Sequence, residues 1–254
     1  MTVLPKGGTA SAAGPVAGVD GCPAGWVAVT LDAGAPHLAV HADFAAILAA
    51  EAGVIAVDMP IGLPDRVGLG GRGPERLVRP LLGERQSSVF SVPSRSAVWA
   101  VDDLDASDAY RTICDIAFAT SEPPRKISRQ CFHILPKIRE IDRLMTPALS
   151  GRVFEVHPEV AFWRLNGGSA MRLPKKVKNR AAELGLAERI DLLARHGYPR
   201  GFLEQALPRG VGRDDLIDAA VNALIAVRIA AGEARPFPDP PERDGRGLAV
   251  AIWA

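Results

Sequence analysis

Val16-Ala-Gly-Val-Asp20-Gly-Cys-Pro-Ala-Gly25-Trp-Val-Ala-Val-Thr-Leu31 is the stretch on which the fold turns. Its apolar runs, Val16–Asp20 and Trp26–Leu31, read as strands, and the Gly21–Gly25 segment between them is made of turn residues. Strands this close in sequence pair as an antiparallel hairpin. Downstream, His37–His41 fits a third strand and Asp43 is placed to cap a helix reaching Ala50. Val54-Ile-Ala-Val57 is wholly apolar, as a strand buried on both faces should be.

Beyond Met59 the text turns rich in Pro, Gly and Arg as far as about Ser96, with a short helical piece near Glu75–Leu82. Helical patterns follow at Ser107–Ser121 and Ser128–Met145, then a strand at Arg152–Val156. Further helices fit Glu159–Leu165, Asn179–His196 and Arg213–Ala231, and the Pro-rich tail from Pro236 ends in a strand candidate, Leu248–Trp253. Three antiparallel strands, a helix and a further strand, followed by more helices and strands, predict a mixed α/β sheet whose later strands are parallel. This is the succession of the ribonuclease H fold. The expected organisation is a disordered tail over 1–15 and a single domain over 16–254, interrupted by a helical insertion at about 59–150.

Composition narrows the function classes. The 254 residues suffice for a sizeable core, and 48% hydrophobic with 23% charged residues excludes a disordered polyampholyte. Lys+Arg 30 against Asp+Glu 29 leaves a net charge of +1, so attraction to nucleic acid must be local rather than global. The 25 glycines and 21 prolines gather between the periodic segments and imply long structured connections. Cys22, Cys114 and Cys131 are odd in number and lack zinc-finger spacing, which points to a reduced cytoplasm. The first residues show no apolar signal core, and no run approaches the ~20 apolar residues a membrane span needs. A cytoplasmic protein with no membrane partner is expected.

The acids carry the chemistry. Asp20 ends the first strand, Asp58 ends the central one, Glu155 lies on the later strand, and Asp215 and Asp218 open the longest helix. Ligands of open α/β sheets gather at the carboxyl ends of strands, so Asp20 and Asp58 can face one crevice. Asp215 and Asp218, three apart, share a helical face. Converging carboxylates repel unless neutralised, and all-oxygen donors without a Cys/His cluster favour Mg²⁺ or Mn²⁺. Two such ions about 4 Å apart can clamp both oxygens of a phosphoryl displacement. Plainer roles compete: Asp20-Gly21 suits a hairpin turn, Asp58 before Met59-Pro60 suits a turn start, Glu155 fits an exposed strand position, and Asp214 or Asp215 fits a helix cap. Asp218 fits none of these. It lies past the cap in a segment apolar almost all round, where a carboxylate requires a partner.

Five segments together carry a resemblance: Val19-Asp-Gly-Cys-Pro-Ala-Gly-Trp26, Val57-Asp-Met-Pro-Ile-Gly-Leu-Pro64, Ser88-Val-Phe-Ser-Val-Pro-Ser-Arg95, Phe154-Glu-Val-His-Pro-Glu159 and Asp214-Asp-Leu-Ile-Asp-Ala219. Over about residues 16–254 the chain resembles domain-of-unknown-function family 429, described as predicted RNase H-like nucleases. The resemblance implies Asp20, Asp58 and the Asp215/Asp218 pair as catalytic metal ligands, similar to the junction-resolvase branch of that fold. Glu155 is assigned no ligand position of that branch here and stands among the catalytic candidates from its place on the strand.

Of six lysines, Lys175, Lys176 and Lys178 fall within four residues, a cluster suited either to holding phosphates or to a solvated loop. Arg95 and Lys137 are further candidates for phosphate contact. His157 offers an acid, a base or a metal ligand, or a structural ring before Pro158. The leading expectation is a divalent-metal-dependent nuclease acting on DNA or RNA. The alternatives are an ATP-dependent phosphotransferase of the related actin and sugar-kinase fold, for which no second glycine-rich phosphate motif is visible, and a non-catalytic adaptor for nucleic acid or protein.

Overall fold

The computed structural model describes residues 14–177 and 180–254. The expected tail, apart from Gly14 and Pro15, and Lys178 lie outside the described residues. Strand β1 (Val16–Cys22) pairs antiparallel with β2 (Gly25–Asp32) from Val16↔Leu31 to Cys22↔Gly25, so Pro23 and Ala24 alone make the turn. Gly25 must be glycine there: its φ is +121°, and a Cβ would lie 2.2 Å from the His41 carbonyl oxygen. Strand β3 (Ala35–His41) pairs with β2 and starts two residues before the predicted His37. Helix α1 (Phe44–Ala49) is capped as expected, the Asp43 carboxylate accepting from Ala46 N at 2.8 Å. Strands β4 (Val54–Val57) and β5 (Val153–Glu155) then add in parallel, giving the order β3-β2-β1-β4-β5.

The stretch between β4 and β5 holds α2 (Gly73–Val78), a 3₁₀ segment over Arg79–Ser88, α3 (Arg95–Val98), α4 (Ala109–Ala119) and α5 (Arg129–Leu144). Ser128 caps α5 by accepting from Cys131 N at 3.1 Å, and Cys131, Leu135, Ile138 and Ile141 form its buried stripe. That stripe packs on Val19, Trp26, Ile55 and Val57, one face of the sheet. After β5 come α6 (Pro158–Leu165), the two-residue strands β6 (Lys176–Val177) and β7 (Arg180–Ala181), then α7 (Glu183–Arg195), α8 (Arg200–Glu204) and α9 (Arg213–Ala230). The helix predicted from Asn179 therefore begins at Glu183, behind a short hairpin.

Helix α9 covers the other face, its Leu216, Ala220 and Leu224 sharing a core with Val27, Val29, Leu31 and Ala56. Because α6 and α7 close its outer side, it is apolar nearly all round, as a fully enclosed helix should be. Contact with the sheet is closest at Gly18, where a Cβ would stand 2.0 Å from Ala223 N and 2.1 Å from the Ala219 carbonyl oxygen. The C-terminal strand forms as β9 (Ala249–Trp253), but its partner is β8 (Pro236–Arg243), in the segment read as a Pro-rich tail. Prolines are tolerated because β8 belongs to an isolated two-stranded ribbon, and pairing breaks register between Phe237 and Glu242.

Gly18→Ala should therefore lower stability by about 3 kcal/mol, the upper end of ordinary overpacking, because both offending atoms are backbone. Gly53→Ala, where the nearest atom to a Cβ is 3.9 Å away, serves as the control and should stay within about 1 kcal/mol. Denaturant melts of the two variants measure the difference.

Candidate metal centre

Register decides which acids meet. In the parallel pair β1–β4, Val19 lies beside Val57, so the next residues, Asp20 and Asp58, emerge side by side at the carboxyl ends of the two strands. Asp58 N still donates to the Val19 carbonyl at 3.0 Å, which carries the ladder one residue past β4 and holds Asp58 in line. By the two-residue alternation of strands, Asp20 shares the α9 side of β1 with Val16, and its antiparallel neighbour Val27 packs in the α9-side core. Across from them α9 presents Asp218. One oxygen from each of Asp20, Asp58 and Asp218 lies within 4.8 Å of the others.

Asn222, one turn beyond Asp218 and fully buried, locks this approach: its Nδ2 donates to the Val19 carbonyl at 3.1 Å. The Asp20 carboxylate is itself oriented by Gly21 N, which donates to Oδ1 at 2.7 Å. Lys175 Nζ donates to Asp218 Oδ2, whereas Asp218 Oδ1 is buried with no hydrogen-bond partner among the described residues. Pro60, Phe90, Val92 and His157 line a small cleft beside Asp58.

Burial, with repulsion from neighbouring acids, holds all three carboxyls above the ordinary carboxylate range. Asp20 is raised well above it by burial and then by Asp58 and Asp218. Asp58 is pushed up to about 8 by burial and by Asp218, against the pull of Lys175. Asp218 rises to about 6, burial outweighing the Lys175 ammonium. Lys175 is held above the usual lysine range, the surrounding acids more than offsetting its burial. The donors are hard oxygens only, one of them unpaired, and a cation already touches the group. These features fit a Mg²⁺ or Mn²⁺ ion held by Asp20, Asp58 and Asp218.

Other expected site residues have different partners. Asp215 stands outside the three-carboxylate group: at the third position of α9 its Oδ2 accepts from Gly212 N at 2.8 Å, as first-turn acids do where backbone N–H groups lack partners. Glu155 pairs in register with Val57, whose side chain is in the insertion-side core, so it faces away from Asp20. There it is gripped by Arg72 at 2.5 and 3.1 Å and receives Ile61 N at 2.8 Å, and burial brings its pKa to about 7. Arg95 is taken by Asp142 at 2.9 Å and Asp244 at 2.6 Å, and these carboxylates occupy the guanidinium expected to meet phosphate. Lys176 pairs with Asp214 at 2.5 Å. Lys137 lies at the same strand end on the insertion side: its stem lies over Gly21, its ammonium sits 4.4 Å from the Trp26 ring centre, and Glu140, then Cys22 and Asp20, act on its charge.

A family model described as "Protein of unknown function (DUF429)" matches residues 18–243. The chain belongs to this family. Comparison with curated proteins and with solved structures finds no match. In this DUF429 chain no described helix is long and apolar enough to cross a membrane.

Three residues of the DUF429 site escaped the sequence reading. Glu159 is buried and held bidentate by Arg189 at 2.7 and 2.8 Å, and its charge acts on Asp58 and Asp218. Arg72 and Asn222 are the others. Only Glu159 left a trace, inside a motif already singled out; an arginine 83 residues from its partner leaves none. His157 is structural: Nδ1 accepts from Glu159 N at 3.2 Å, leaving Nε2 to donate to Ser88 O at 3.3 Å. Burial lowers its pKa to about 4, so the ring is neutral.

Two outcomes follow. A carboxyl whose folded pKa lies above its unfolded value stabilises the fold below the unfolded value, and loses that contribution as pH rises through the folded one. Metal-free protein should therefore lose melting temperature from about pH 4 to pH 8 as Asp218 and then Asp58 ionise. Asp58→Asn should flatten the upper part of that fall, and Mg²⁺, which competes with the protons, should oppose it in the wild type. Separately, Arg72→Met should cost about 3–5 kcal/mol by stranding Glu155 and the buried Glu75, and the double variant with Glu155→Met should recover only the part due to Glu155. Urea titrations of the single and double variants test that pair.

Proposed function

We propose that this DUF429 chain is a metal-dependent phosphodiester hydrolase of the ribonuclease H-like kind, acting on DNA or RNA. The observation that carries it is the convergence of Asp20, Asp58 and Asp218, from three separate elements, onto one point at the carboxyl ends of parallel strands. The strand order, with helices on both faces, supports the same reading. A bound Mg²⁺ or Mn²⁺ supplies Lewis-acid polarisation of a phosphoryl oxygen and a water of lowered pKa.

The chain's own residues do the rest. Asp20, Asp58 and Asp218 set the point at which the reacting phosphate must lie. Gly21 N orients the Asp20 carboxylate, and Asn222 ties α9 to β1. Lys137, reaching over Gly21, and Lys175 offer point charges for phosphate oxygens of the backbone. Phe90 and Val92 place apolar surface against the cleft and limit water there. A purely structural role for the acids is disfavoured by their chemistry, because three mutually repelling buried carboxylates cost stability that neutral side chains would not.

A panel of single-stranded, duplex and branched DNA and RNA, with Mg²⁺ or Mn²⁺, tests the proposal. Cleavage should need the metal and fall by about a hundredfold or more in Asp20→Asn and Asp58→Asn, the loss of several kcal/mol of charge stabilisation. ATP turnover without cleavage would assign the site to phosphotransfer. Binding of nucleic acid with neither activity would make the chain an adaptor.

A further inference from the structure

Lys175 is placed with unusual firmness for a residue beside a short hairpin. Its carbonyl accepts from Ala182 N at 2.9 Å. The preceding Leu173 carbonyl accepts from Arg189 Nη1 at 2.9 Å, and Leu173 N donates to Glu188 at 3.0 Å. Pro174 is pressed on α7 so closely that a Cβ at Gly185 would meet its oxygen at 1.9 Å. The backbone at Lys175 is thus fixed, and the four-carbon stem is the part free to turn. That stem delivers its ammonium to Asp218 Oδ2, with Asp20, Asp58 and Glu159 also acting on the charge. Glu159 has its own partner in Arg189, so one ammonium faces three aspartates that have no other cation in contact among the described residues. Its side chain is 23% exposed, enough for a way out to solvent.

We propose, resting on the reading of the three aspartates as a divalent-metal site, that Lys175 is the resident cation of that site. Its ammonium is held by Asp218, beside Asp20 and Asp58, in the metal-free protein and gives way to an incoming divalent ion. The released ammonium then turns to the phosphate of the substrate. Once all three carboxyls are ionised they exceed the single ammonium in charge, an excess that a doubly charged ion satisfies better, yet the ion must first displace the lysine. Metal affinity is accordingly set by an exchange of cations, and the loaded site carries an uncommitted ammonium beside it. Lys176 does not compete for this role, because its ammonium is drawn to Asp214, one turn before Asp218.

Calorimetric titration with MnCl₂ of the wild type, Lys175→Met and Asp58→Asn decides the matter. Lys175→Met should bind Mn²⁺ about tenfold more tightly and melt at lower temperature without metal. Asp58→Asn should bind it more weakly. Equal or weaker Mn²⁺ binding by Lys175→Met, with binding still dependent on Asp58, overturns the role of Lys175 and leaves the metal site standing. No Mn²⁺ binding by wild type or Lys175→Met overturns both. A second measurement needs no variant: acetylation of Lys175 by an activated ester, followed by mass spectrometry of wild-type protein. Saturating MgCl₂ should speed that acetylation several-fold while leaving Lys126 unchanged. An unchanged or slower rate at Lys175 defeats the displacement, also if Lys175→Met fails to fold.

Discussion

The contact between the backbone of α9 and the backbone of β1 at Gly18 is the constraint on which the site depends. A strand normally keeps a helix at the distance of two side-chain layers. With no Cβ at Gly18 and only alanines at 219 and 223, that spacing collapses, and helix and strand meet almost directly. Asp218, just before Ala219, is then carried to the end of β1 where Asp20 emerges. Asn222 fastens the same junction by a buried hydrogen bond to Val19. A bulkier contact would lift α9 and open the three-carboxylate group, whatever the acids themselves were.

Around that junction the molecule buries far more charge than its near-zero net charge suggests. Arg72 bridges Glu155 and Glu75, and Glu159 pairs with Arg189; in both, a guanidinium forks onto a carboxylate. Such pairs contribute little net stability, but they fix geometry, because breaking one strands a charge in the interior. They tie α2 to the end of β5 and α6 to α7, on either side of the aspartates. Between them lies a group of the opposite character, three acids and one lysine on a flexible stem. Rigid, internally paired walls around an open, acid-rich centre are what a site for an exchangeable cation requires.

The insertion between β4 and β5 has two duties that its sequence mixes. Helix α5 is an ordinary amphipathic cover for the sheet, with its stripe on Trp26 and Val57. The same helix sends Lys137 over Gly21 to the neighbourhood of Asp20, while the 88–92 segment walls the cleft beside Asp58. One element thus sets both the back of the core and a cation near the end of β1. Changes in its packing are coupled to the position of Lys137.

The local sequence determined the hairpin of β1 and β2, the buried β4, the capped α1 and the existence of α9, because each depends on periodicity and on turn or capping residues within a few positions. It also marked Asp20, Asp58 and Asp218 as acids that strand ends and an apolar helix would bring to one place. Which acids stay out was decided only by tertiary structure. Glu155 is excluded by strand register, since one step along a strand turns a side chain to the opposite face. Asp215 is excluded by the first turn of its helix, where an unpartnered backbone N–H lies nearer than the cleft. The partners of Glu155 and Glu159, and the lysine that enters the aspartate group while its neighbour does not, depend on contacts between residues tens of positions apart. Spacing along the chain cannot encode those contacts, because they exist only once the layers have packed.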